Sequence, residues 1–62
     1  MLDAKKRQLV KGQRIVFYDT YYGLDTAIVI GFSPKKVRIS WSAGPSIRTM
    51  LINPIKTLIL DK

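Results

Sequence analysis

The sequence predicts an all-β fold, a small barrel of five strands, and three observations predict it. Five short runs of branched and aromatic residues fill the chain between residues 14 and 60. Glycine, proline, asparagine and aspartate separate these runs, as turn residues separate strands. The chain has 62 residues and no cysteine, so a single domain must fold without disulfides, near the lower size limit for independent folding.

The first two strands are predicted at residues 14–18 and 26–32. In the first run, apolar side chains alternate between two faces, which is typical of a half-buried strand. The intervening residues 19–23 are rich in turn formers and predict a loop. Gly31, inside the second strand, predicts a bulge or a sharp bend, which a tightly curved small barrel needs.

Proline-containing turns separate the remaining strands. A turn is predicted at residues 33–36 and the third strand at 36–41. A second turn follows at 42–45, and the fourth strand is predicted at 47–52. A 3₁₀-like break at 53–55 precedes the last strand, at 56–60. This layout fits an SH3-like barrel best. An OB-fold is the alternative, but it usually needs a longer chain and a helix between the third and fourth strands.

The apolar side chains predict the core, and the first residues predict an arm. The expected core residues are Val10, Ile15, Phe17, Ile28, Ile30, Val37, Ile39, Leu51, Ile55 and Leu58. Trp41 alternates with two of them, which favours burial or a half-buried rim position. Residues 1–8 are expected to form a flexible basic N-terminal arm, because so short a helix is marginal in water. The barrel is expected over residues 9–62.

Composition narrows the function classes. The sequence contains eleven lysines and arginines and four aspartates, which gives a net charge of +7. It contains no glutamate, histidine or cysteine. An enzyme, a metal site and a cofactor are therefore not expected, because acid–base, thiol and ligand groups are scarce and the four glycines are too dispersed for a phosphate loop. The sequence also lacks a secretory signal and a membrane-length apolar run, which predicts a cytoplasmic protein.

Grouped positive charge attracts polyanions, so the basic residues are the candidate binding residues. The candidates for nucleic-acid binding are Lys35, Lys36, Arg38, Arg48, Lys5, Lys6, Arg7, Lys11, Arg14, Tyr21 and Tyr22. Arg48 should neighbour Arg38 across the strands if both side chains point the same way. A solubilising face or edge protection by lysine is the alternative for the cations. Tyr21 and Tyr22 either stack on bases or fold back over the barrel.

Part of the chain resembles the KOW motif of ribosomal proteins and transcription elongation factors. The resemblance lies in Lys11-Gly12-Gln13-Arg14-Ile15-Val16, then Gly23, then Ala27-Ile28-Val29-Ile30. It implies an SH3-like barrel that binds RNA, DNA or proteins through loops and basic strand faces. The chain departs from the motif near residues 26 and 27, where the family usually has a second glycine.

The layout also resembles the small plasmid-type dihydrofolate reductase, an SH3-like barrel that works as a tetramer. Its active-site motif, Val-Gln-Ile-Tyr, is replaced here by Thr49-Met50-Leu51-Ile52, so the resemblance implies the fold without the activity. Tudor-like barrels are a third family that the chain resembles. Their aromatic cage would have to come from Tyr18, Tyr21, Tyr22 and Trp41.

The sequence therefore predicts a non-enzymatic protein that binds DNA or RNA with weak sequence preference, since nothing encodes base-specific hydrogen bonding. The alternative is a small basic protein-interaction module that regulates a transcription, nucleoid or translation component. Its partner would dock on an exposed apolar patch near Met50 and Ile52. A homo-oligomer is compatible with the small size, and a membrane partner is not expected.

Overall fold

Five antiparallel strands form one sheet in the structure, a computed structural model that describes residues 1–60. The strands are β1 (Arg14–Asp19), β2 (Gly23–Phe32), β3 (Val37–Ala43), β4 (Ser46–Ile52) and β5 (Thr57–Ile59), with a 3₁₀ turn (Pro54–Lys56) before β5. Their order across the sheet is β4-β3-β2-β1-β5. The predicted all-β fold and 3₁₀ turn are confirmed. SH3-like closure stays a prediction, and the end of the barrel expected over 9–62 lies outside the described residues.

A tight turn sets the register between β3 and β4. Ala43 pairs with Ser46, so the turn contains two residues, and the first of them, Gly44, has a φ of 64°. Glycine adopts this left-handed conformation without a Cβ clash. From this turn, the register places Thr49 opposite Ser40 and Ile52 opposite Val37. Partners in a register share one face of a sheet, so the turn decides which β4 side chains face the core.

The bulge predicted at Gly31 is confirmed. Val29 pairs with Ile39 and Gly31 pairs with Arg38, so β2 carries one extra residue at this point. Ala27 and Val29 are buried, whereas Ile28 is exposed. The expectation that Ile28 and Ile30 line the core is wrong, because the pairing of β2 with β1 sets Ala27 opposite the buried Ile15.

The core lies on one face of the sheet, here called the inner face. Its buried apolar residues are Leu9, Ile15, Phe17, Ala27, Val29, Val37, Ile39, Trp41 and Ile52. The predicted burial of Trp41 is confirmed. Other predicted core residues lie elsewhere: Val10, Leu51 and Ile55 are exposed, and Ile30 and Leu58 are half-buried. On β4 the reason is register, since Ile52 rather than Leu51 faces Val37.

The first nine residues form a hydrogen-bonded loop against β5. The backbone N–H of Leu9 donates to Met1, and Leu2 and Gln8 form an isolated antiparallel bridge. The N–H of Ala4 donates to the carbonyl of Thr57 at 2.8 Å. The flexibility expected of residues 1–8 stays a prediction, and these contacts show where the segment attaches in the fold.

Candidate nucleic-acid interface

The positive charge of the protein lies on its surface and is largely unopposed. Arg7 is half-buried, and the other described lysines and arginines are exposed. Within residues 1–60 a single ion pair forms, between Arg7 Nε and Asp3 Oδ2 at 3.5 Å. The carboxylates of Asp19 and Asp25 instead accept backbone N–H groups close to them in sequence. The exposed cations are therefore available to an external anion.

Two arginines lie on the sheet face opposite the core, here called the outer face. Arg14 opposes Ile28, Ile28 opposes Ser40 and Ser40 opposes Thr49, so these four residues form one row across β1–β4. Arg38 lies two residues before Ser40 on β3, and alternation puts it on the same face. The outer face therefore presents two guanidinium groups together with the hydroxyl groups of Ser40 and Thr49.

A shallow groove runs over this outer face. It is lined by Arg14, Asp25, Thr26, Ala27, Ile28, Ser40, Trp41, Ser42 and Ile47. Hydroxyl groups and guanidinium groups can both donate to phosphate oxygens. Asp25 lies at the opposite end of β2 from the bulge, so an anion is repelled there and attracted toward Arg14 and Arg38. This outer groove is the candidate interface for a polyanion.

Arg48 does not join this row. The register sets Arg48 opposite Trp41, on the inner side of the sheet, whereas Arg38 opposes Leu51 on the outer face. Arg38 and Arg48 therefore point to opposite faces and are not cross-strand neighbours. The physical reason is the two-residue turn after Ala43, which fixes the phase of β4. The Arg48 guanidinium instead lies over the ring of Tyr22, with Cζ 5.7 Å from the ring centroid.

Four aromatic rings form a cluster that leads from the core to the solvent. Ring centroids are 4.9 Å apart for Phe17 and Trp41, 5.1 Å for Trp41 and Tyr22, and 4.7 Å for Tyr22 and Tyr21. Phe17 is buried, and Tyr21 is 84% exposed. Tyr22 folds back over Trp41, whereas Tyr21 extends into the solvent, and stacking on bases stays a prediction.

The remaining basic candidates lie in turns at separate places. Lys35 and Lys36 are in the β2–β3 turn, where Ser33 Oγ accepts from the Lys36 N–H at 3.0 Å. Lys11 precedes Gly12, whose N–H donates to the carbonyl of Val29 at 2.7 Å. That contact brings Lys11 close to the bulge, and so to the same end of the sheet as Arg38.

The N-terminal cations divide into two kinds. Lys5 and Lys6 are exposed, whereas Arg7 donates to the carbonyl of Ile59 at 2.7 Å and pairs with Asp3. Arg7 was expected to contact nucleic acid, and its contacts show that it also joins the N-terminal loop to β5. Lys5 and Lys6 remain on the surface of this loop.

Asp3 is a buried acid. Burial alone would raise the pKa of its carboxyl group. The backbone N–H groups of Ile59, Arg7 and Lys5, together with the Arg7 charge, outweigh burial and hold the pKa below its ordinary value. Asp3 therefore stays ionised and neutralises Arg7 locally, leaving the other cations without a carboxylate partner in the described chain.

The exposed apolar surface differs from the patch expected near Met50 and Ile52. Ile52 is buried and Met50 is half-buried against the core, so that expectation of exposure is wrong. Their register partners, Val37 and Ile39, are core residues, which is why they face inward. An apolar groove lies elsewhere and is lined chiefly by Val16, Tyr18, Leu24, Ile55, Lys56 and Leu58.

The hydroxyl groups of the outer groove were not among the candidate binding residues. Ser40 and Ser42 alternate with the buried Ile39 and Trp41, and this alternation could have placed them beside the arginines. The contact between Tyr22 and Arg48 had no such signal, because it depends on the fold of the β1–β2 loop. Among residues 1–60, no cluster of three or more histidine, cysteine, aspartate or glutamate side chains could hold a metal ion.

Comparison with protein-family models, curated proteins and solved structures finds no match. The part of the chain that the structure describes also contains no helix long and apolar enough to cross a bilayer.

Proposed function

We propose that the protein is a non-enzymatic nucleic-acid-binding protein that holds the sugar–phosphate backbone through its outer groove. The observation that carries this proposal is the placement of Arg14, which lines the groove, on the same sheet face as Arg38 and the Ser40 hydroxyl group. Neither arginine pairs with a carboxylate in residues 1–60. An SH3-like, KOW-like barrel accords with this role and is part of the proposal.

The cations around the bulge extend this surface. Lys11, Lys35 and Lys36 lie in turns at the same end of the sheet as Arg38, and all three are exposed. Each cation that neutralises a phosphate releases condensed counterions, which favours binding at low salt. Serine and threonine hydroxyl groups donate to phosphate oxygens and carry no base information, so binding is expected with weak sequence preference.

Salt dependence tests the proposal directly. Fluorescence anisotropy with labelled DNA and RNA, single- and double-stranded, should show affinity that falls steeply between about 50 and 200 mM salt. With about four to six phosphate contacts, log K should fall by roughly 0.7 per contact on single strands or 0.9 on duplex for each decade of salt. Undetectable binding, or an affinity that does not change with salt, would contradict the proposal.

A matched pair of variants locates the interface. Arg38→Ala should weaken binding to all sequences and reduce the salt slope by about one contact. Lys56→Ala removes the same charge from the 3₁₀ turn, where the residue lines the apolar groove instead. Equal losses in the two variants would mean that net charge alone acts, and would contradict an interface on the outer face.

The apolar groove favours a second candidate function, a protein-interaction module. Tyr18, Leu24 and Ile55 are exposed there, and Lys56 lies among them. The chemistry suits a partner segment with apolar side chains next to carboxylates. If that module is the main function, Leu24→Asp should abolish capture of an acidic protein partner from nuclease-treated lysate, whereas Arg38→Ala should have a smaller effect.

A further inference from the structure

We infer that the aromatic cluster stacks on unpaired bases, so that the protein binds single-stranded nucleic acid in preference to a duplex. This inference rests on the proposed function. It adds a distinction between single strands and duplexes, which phosphate binding by cations alone does not make. Phosphates occur in duplexes and in single strands alike. The faces of the bases are free for a protein ring only where the strand is unpaired or unstacked.

Tyr21 has the properties of a stacking platform. Its side chain is 84% exposed, and its ring meets the ring of Tyr22 edge to face, at an interplanar angle of 89°. An edge-to-face contact leaves at least one face of the Tyr21 ring uncovered by Tyr22. An exposed aromatic face of this kind can stack on any base, because every base has a π-face.

Contacts of the β1–β2 loop hold the Tyr21 ring in place. Asp19 Oδ2 accepts the backbone N–H groups of Tyr21 and Tyr22, at 2.8 and 3.1 Å, which shapes the β1–β2 loop. Tyr22 in turn packs against Trp41 in the core, with ring centroids 5.1 Å apart. Tyr21 is thus connected through two ring contacts to the rigid sheet, and little order has to be gained when a base binds.

Arg48 supplies a cation beside the platform. Its guanidinium carbon is 5.7 Å from the Tyr22 centroid, which is itself 4.7 Å from the Tyr21 centroid. The guanidinium and the Tyr21 ring are therefore separated by at most the sum of these distances, about 10 Å. Stacked nucleotides rise roughly 3.4 Å each along one strand, so a strand of about three nucleotides spans this distance. One base can rest on Tyr21 while a phosphate up to about three nucleotides along the strand meets Arg48.

Three fluorescent ligands test the inference on the full chain, and the two single strands among them have equal length and charge. The three ligands are a single-stranded oligothymidine, a duplex, and a strand of abasic deoxyribose phosphates. The single strand should bind about ten-fold or more tighter than the abasic strand, because base–aromatic stacking adds to the phosphate contacts. Tyr21→Ala should remove this difference and leave the salt slope unchanged, and Tyr21→Phe should preserve it.

Tyr18→Ala is the matched control, since Tyr18 is also exposed but lies in the apolar groove. Circular dichroism should show both alanine variants folded, because neither ring is buried. Absence of binding to all three ligands would overturn the proposed function itself. Equal affinity for the base-bearing and abasic strands would overturn only the stacking. Tighter binding of a proline-rich peptide, lost in Tyr21→Ala, would assign the ring to a peptide and likewise overturn the inference.

Discussion

The carboxylate of Asp3 accepts a hydrogen bond from the backbone N–H of Ile59 at 2.9 Å, joining the loop of residues 1–9 to β5. The other carboxylate oxygen accepts the N–H groups of Lys5 and Arg7, at 3.0 and 2.8 Å. One buried side chain therefore organises the loop and attaches it to the sheet.

Acidification should weaken the fold through Asp3. The pKa of its carboxyl group is lower in the folded chain than the ordinary value of 3.8, so folding favours the ionised form. This contribution is complete above the ordinary value and is lost as pH falls through the lower, folded value. Urea unfolding at neutral pH and at about pH 2.5 should show the loss in the wild type.

Asp3→Asn should remove this part of the pH dependence. The variant should already be less stable at neutral pH, by about 2 kcal/mol, because an amide cannot match the acceptors that Ile59 and Arg7 require. Asp25→Asn is the control, since Asp25 is exposed and accepts one local N–H, from Thr26. An Asp3→Asn variant with the wild-type acid sensitivity would contradict this role for Asp3.

Two glycines should respond in opposite ways to alanine. A Cβ at Gly12 or at Gly31 would meet nothing within 4 Å, so steric clashes do not explain a difference between the two alanine variants. Gly12 has a φ of 95°, and alanine there should cost about 1–2 kcal/mol. Gly31 lacks a left-handed φ, and Gly31→Ala should be neutral or stabilise by up to about 1 kcal/mol, by restricting the unfolded chain. Thermal unfolding compares them, and equal effects would contradict the backbone argument.

Neighbouring residues on β2 should differ sharply when changed to threonine. Val29→Thr places a hydroxyl group in the core and should cost about 1–3 kcal/mol. Ile28→Thr changes the outer face and should cost less than about 1 kcal/mol. Urea denaturation of both variants measures the difference. The reverse ranking would mean that β2 presents its other face to the core.

The contact between Phe17 and Trp41 should contribute to stability. Phe17→Leu removes an aromatic pair from the core and should lower the free energy of unfolding by about 1–2 kcal/mol. Tyr18→Leu, at the adjacent exposed position, should have little effect. Trp41 is the single tryptophan in the sequence, so its fluorescence follows unfolding in both variants. Similar losses in the two variants would contradict the inward orientation of Phe17.

The strands of this protein were predictable because local signals mark them. Alternation predicted the buried faces of β1 and β3, and turn residues predicted the breaks between strands. On β2, residues 27–30 are all apolar, so alternation could not choose a face. The pairing of Ala27 with Ile15 made that choice. Such a pairing is a property of the assembled sheet, which is why the sequence alone placed Ile28 in the core.

The candidate site was predictable to a similar degree. Exposure of Lys35, Lys36 and Arg38 follows from their residue types and from the β2–β3 turn. The position of Arg48 depends on the phase that a two-residue turn gives to β4, and a one-residue change would reverse it. The aromatic cluster required the loop after β1 to bring Tyr22 against Trp41, a contact between distant parts of the sequence.

The attachment of residues 1–9 to β5 has a consequence for biosynthesis. Asp3 and Ile59 are 56 positions apart, and Arg14 accepts from the N–H of Leu60. Pairings this distant raise the contact order of a short chain and slow its folding. The nascent polypeptide cannot complete the loop of residues 1–9 until Ile59 has been translated, and its apolar segments stay open to chaperones until then.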